Sequence, residues 1–155
     1  MLGMNRFADR GFTLVEIVIA LAIVAVVLFV AAPSYSSYVE RTRVNQAITD
    51  IVAISAQIKA YELDNRDYPD NLLQIGASKL DPWGRPYIYN PFRTPADKGQ
   101  ARKDKNLVPI NSDFDLYSVG KDGESRAPLH AKWSRDDVVR ANDGGFVGLA
   151  SEYTH

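Results

Sequence analysis

The chain contains no cysteine among its 155 residues. No disulfide can staple it and no thiolate can hold a metal, so a small exported domain built from it must gain rigidity in other ways. Only two histidines occur, His130 and His155, without the spacing of a zinc site, and both are expected in an exposed loop and tail. Neither sign of charge dominates: 18 basic residues face 19 acidic ones, for a net charge of -1. There is thus no global basic field for nucleic acid and no acidic tail. No glycine-rich phosphate loop precedes a helix, no local nucleophile signature is present and no internal repeat is visible. The expectation is a protein that is not an enzyme.

What the chain does have is a long apolar run. Sixteen consecutive apolar residues extend from Ile17 to Ala32. As a helix, Phe12 to Ala32 would span about 31 Å, roughly one bilayer core. The leader before it carries Arg6 and Arg10 against Asp9, which favours keeping that end in the cytoplasm. A secretory signal would be cut after the apolar region, at a small-residue site. Glu16 interrupts the start of the run, and a carboxylate there costs on the order of a few kcal/mol in a membrane unless it finds a partner.

Pro33 closes the run and removes a backbone donor, so it should kink or loosen the helix. Beyond it, Val44, Ala47, Ile48, Ile51, Ile54, Ile58 and Tyr61 recur at steps of three and four and mark one apolar helical face. Residues 62–69 end that helix with polar turn formers and Pro69. Residues 71–80 read as a short connection with one helical turn. Tyr87-Ile88-Tyr89-Asn90 reads as a strand, with Pro86 at its start, and Trp83, Tyr87 and Tyr89 read as packing residues.

The stretch from Pro91 to Asn106 is polar, and its Arg93, Lys98, Arg102, Lys103 and Lys105 are expected in a solvated excursion. Asp113 to Val119 alternates as a strand, closed by a Gly120-Lys121-Asp122-Gly123 turn. Ser134 to Arg140 is expected to begin a short helix, ended by Asn142-Asp143-Gly144-Gly145, and Phe146 to Leu149 to add a third strand. The predicted class is α+β, a long helix packed on a small antiparallel sheet.

Gly11-Phe12-Thr13-Leu14-Val15-Glu16, with its basic leader and Pro33 behind, resembles the type IV pilin and type II secretion pseudopilin superfamily. The resemblance implies a leader of residues 1–11, cut by a prepilin peptidase between Gly11 and Phe12, with methylation of the new Phe12 amine. Residues 12–33 would be the membrane and filament-core helix and residues 34–155 a periplasmic head. It implies a homopolymer, joined by other pseudopilins on an inner-membrane assembly platform, with Phe12, Glu16 and Pro33 as assembly residues. Phe12 and Glu16 share a helical face, and the implied partner of Glu16 is the Phe12 amine of a neighbouring subunit.

Residues 61–69, Asp81-Pro82-Trp83-Gly84 and residues 115–123 together resemble the major pseudopilin of type II secretion systems. The link from Pro69 to Asp81 is shorter than in that family, and the tail after Gly123 is longer. A type IV pilin or minor pilin of a surface fibre is the alternative, and a membrane-anchored binding module that never polymerises is a third reading.

Asp122, Asp136 and Asp137 form an acidic constellation suited to a hard, oxygen-liking cation. The family resemblance implies a calcium site there, made of the Val119 carbonyl, Asp122, the Ser134 carbonyl, Asp136 and Asp137. Ser134 and Asp137 also have the spacing of a capping box that needs no metal. Asp113, Asp115 and Asp143 are weaker candidates, for which strand or turn positions suffice.

Overall fold

The computed structural model describes residues 11–105 and 107–154. The leader expected at residues 1–10 lies outside the described residues, as does His155. The chain divides into two compact units, residues 1–39 and 40–155. Helix α1, Leu14–Asn65, contributes to both.

In the first unit the side chains of residues 11–30 are all exposed. Pro33 lies within α1, and its side chain is outside the described ones.

The second unit is built on the amphipathic part of α1. Ala47, Ile51, Ile54 and Ile58 are fully or almost fully buried, as their spacing predicts. They share one core with Leu72, Tyr87, Phe114, Leu116 and Val138. A single 3-10 turn, Leu72–Ile75, follows the helix, with the Asn71 side chain accepting from the Gln74 amide and Gly76 closing it in the left-handed conformation.

Four antiparallel strands follow in sequence order: β1 Ile88–Pro91, β2 Phe114–Ser118, β3 Val138–Ala141 and β4 Phe146–Leu149. Between β1 and β2 lies the short helix α2, Pro95–Gly99, whose Thr94 and Asp97 form a capping box. The α+β class is therefore observed, with one strand more than expected.

The extra strand is β3, where the sequence predicts a short helix. Ser134 instead ends a 3-10 turn, and Val138 to Ala141 pair with both neighbours. The reason is burial on both faces. Val138 belongs to the helix-side core, while Val139 and Ala141 join Ile110, Leu129, Ala150 and Tyr153 in a second core on the opposite face. Successive side chains going to opposite sides is the strand period, and β-branched valines fit it. Asn142 and Asp143, both in the left-handed region, then make a hairpin turn rather than a helix end.

The second core also corrects the expectation for Pro91 to Asn106. Phe92, Ala101, Arg102 and Asp104 are buried. The Lys103 amide donates to Ala127 at 2.9 Å, and its carbonyl accepts from Leu129 at 2.8 Å. Residues 101–104 are thus folded in, whereas Arg93, Lys98 and Lys105 are exposed, as expected.

Candidate assembly and ion-binding sites

At the head of α1, Thr13 and Glu16 cap the first turn reciprocally. The Glu16 amide donates to Thr13 Oγ1 at 3.2 Å, and the Thr13 amide reaches Glu16 Oε2 at 3.5 Å. Thr13 was not among the predicted site residues, although T-x-x-E ahead of an apolar run is a legible capping signal. Phe12 is 80% exposed and stands one turn from Glu16. By length and composition α1 can cross a membrane. Glu16 is the sole charged residue from Phe12 to Val39.

The predicted calcium ligands lie on two loops that approach closely. Gly120 has φ 65° and packs so tightly on Asp136 that an added Cβ would stand 2.2 Å from its carbonyl oxygen. The Asp122 amide donates to Asp136 Oδ2 at 2.9 Å, and Asp122 Oδ1 accepts from the Glu124 amide at 2.8 Å. The Ser134 carbonyl accepts from the Asp137 amide, and its hydroxyl bonds to the Arg126 backbone. Val119, half-buried, follows the end of β2.

Asp137 has no accessible surface, and its Oδ2 accepts from Arg102 Nη2 and from Ser125 Oγ, each at 2.6 Å. Its Oδ1 has no hydrogen-bond partner among the described residues. Burial pushes this carboxyl up to about 6, against the pull of Arg102 and Ser125. Thus Asp122 and Asp136 come together, whereas Asp137 is engaged elsewhere. Among the described residues no three acidic or histidine side chains gather as a metal site. With Arg102 and Ser125 on its Oδ2, Asp137 does not gather with Asp122 and Asp136 into the cage of about six to eight oxygens that calcium takes.

The weaker acidic candidates are engaged as well. Asp113 receives two bonds of 2.8 Å from Arg140 and lies 3.0 Å from Lys59. Burial raises its carboxyl, but these cations more than offset that and hold it at about 2. Asp115 accepts from the Arg102 amide and from Asn111, and Asp143 accepts from Ser112 twice. His130 is exposed, 3.8 Å from Asp104.

Arg102, Arg140 and Lys59 were missed as organising residues. Their partners lie 13 to 54 positions away in sequence, which no local pattern encodes. By contrast, Asp81 acts where its motif suggests. It holds the turn through Trp83 and Arg85 and accepts from Ser118 Oγ at 2.5 Å, while Arg85 donates to the Gly120 carbonyl at 2.7 Å. Tyr87 packs inside and donates to Asp50 at 2.9 Å, as expected of a packing residue.

Comparison with known proteins agrees with this construction. Residues 6–32 match the prokaryotic N-terminal methylation motif, and residues 34–132 match the family described as type II secretion system (T2SS), protein G. The type II secretion system core protein G of Pseudomonas aeruginosa is 32% identical, over 78% of this chain and 89% of its own. The proteins of that name from Dickeya chrysanthemi and Klebsiella pneumoniae are 31% and 30% identical, over 88% and 84% of this chain. They are covered over 88% and 92% of their own lengths. No solved structure matches the chain. With an apolar stem, a helix-on-sheet head and a family match over more than half its length, the chain belongs to the type II secretion system protein G family.

Proposed function

We propose that the chain is a pseudopilin subunit of a type II secretion system. It is cut between Gly11 and Phe12 by a prepilin peptidase and methylated on the new Phe12 amine. Residues 12–33 then hold it in the inner membrane, with the head in the periplasm. On an assembly platform it polymerises with copies of itself and with other pseudopilins, and growth of the filament helps drive protein export. The family match over residues 34–132 favours secretion over a surface fibre.

The observation that carries this reading is the stem: an exposed apolar helix whose single charge, Glu16, stands one turn from the residue that cleavage would make the amino terminus. In a lipid or protein surround the Glu16 carboxylate needs a cation, and the Phe12 amine of an adjacent copy is one. Such a pair selects register more than it adds stability. The chain's lack of cysteine makes the test clean. A single Val26→Cys substitution should give a disulfide-linked dimer of mature subunits in oxidised membranes. Adding Glu16→Ala should abolish the dimer while leaving membrane insertion and cleavage intact. An undiminished dimer would remove Glu16 from assembly.

A further inference from the structure

We propose that the Arg102 guanidinium is the resident cation of the head, joining the 91–113 excursion to the 134–137 loop, so that the head holds together without a divalent ion. Arg102 is 3% exposed. Its Nη2 donates to Asp137, its Nη1 to Ser125 Oγ, and its plane lies 4.5 Å above the Tyr117 ring. Its backbone amide donates to Asp115 Oδ2 at 2.6 Å and its carbonyl accepts from Ile110 at 3.0 Å. One residue therefore ties β2, the loop before β2, the loop after it and the approach to β3.

The pairing of charges gives the same assignment. Six aspartates are buried, Asp50, Asp81, Asp104, Asp113, Asp115 and Asp137, and the two buried cations among the described residues each meet one of them, Arg102 against Asp137 and Arg140 against Asp113. A dication placed at Asp137 would sit beside a buried guanidinium, which repels it. Asp136 Oδ2 and Asp122 Oδ1 each accept a backbone amide. A planar guanidinium also suits the site, because it serves a carboxylate, a hydroxyl and a ring face at once. The expectation from the sequence, calcium held by Val119, Asp122, Ser134, Asp136 and Asp137, is thereby replaced by a cation the chain supplies itself.

The test is thermal unfolding of the mature full-length chain in detergent, followed by near-ultraviolet circular dichroism of the head, in excess EDTA and in millimolar calcium. The midpoint should be the same in both, and Arg102→Ala should lower it by several degrees in both. A midpoint that rises with calcium, or an Arg102→Ala protein that melts with the parent, overturns the proposal. Should Arg102→Ala fail to fold, the double variant R102M/D137N decides. Folding of the double variant shows that Arg102 is needed for its charge. Failure of both shows that cancelling the Asp137 charge does not replace Arg102, which also overturns the proposal.

Discussion

One helix, α1, supplies two surfaces of opposite character. In residues 14–30 it presents Leu14, Leu28 and Phe29 at 62–83% exposure, while from Ala47 to Ile58 its apolar face is closed to solvent. The chemistry of the side chains is nearly the same in both places. The difference is the partner: the head brings its own sheet, and the stem brings none. An apolar surface with no intramolecular cover requires lipid or other copies, whereas the head is complete by itself. The head also contains what the stem avoids, ion pairs shut away from water.

The contrast can be broken most severely at Arg140. Replacing it with alanine leaves Asp113 with Lys59 alone and should cost about 3–5 kcal/mol of head stability in urea titration. Ile54→Ala in the core should cost about 2–4 kcal/mol by the same measurement.

Acid titration reads the ion pairs from two directions. The Asp137 carboxyl sits at about 6, above its ordinary 3.8, so the folded head binds its proton more tightly than the unfolded chain. Stability from this group is full below 3.8 and is lost as pH rises toward about 6, by on the order of 2–3 kcal/mol. Burial sets that position, opposed by Arg102 and Ser125 and helped by the nearby Asp136. Asp113, held at about 2, contributes the reverse: stability present above 3.8 and lost as pH falls toward 2. Stability of the head should thus climb as pH drops through 6 to 4 and then fall, and Asp137→Asn should flatten only the upper limb. The smallest effect belongs to the stem. Val26→Ala should leave the head's unfolding midpoint unmoved, and a shift there would mean that the two surfaces are not separate.

Legibility in the sequence followed the range of the interactions. The stem and the buried face of α1 are local periodic patterns, so Ile51, Ile54 and Ile58 could be read directly. The strands β1, β2 and β4 carry aromatic and β-branched residues between turn formers. β3 was hidden because Ser134-Arg135-Asp136-Asp137 imitates a helix start, and because Val138 and Val139 are buried on both faces and so show no polar alternation. Arg102 looked solvated for a related reason. A basic residue within a polar run is ordinarily exposed, and only Asp115 and Asp137, 13 and 35 positions later, make it interior. The acidic loops were legible as a meeting place of Asp122 and Asp136 but not in which partner Asp137 takes.

The proposed assembly requires that other routes to self-association stay closed. The sheet of the head has two edges, β1 and β4, each only four residues long. β1 ends on Pro91, which has no amide hydrogen to offer, and Pro86 stands just ahead of it. β4 carries Gly148 within it. Such edges are poor templates for an incoming strand. Neighbouring heads would find little to pair with. In the proposed filament, contact between copies would then fall to the stem, with its single charge.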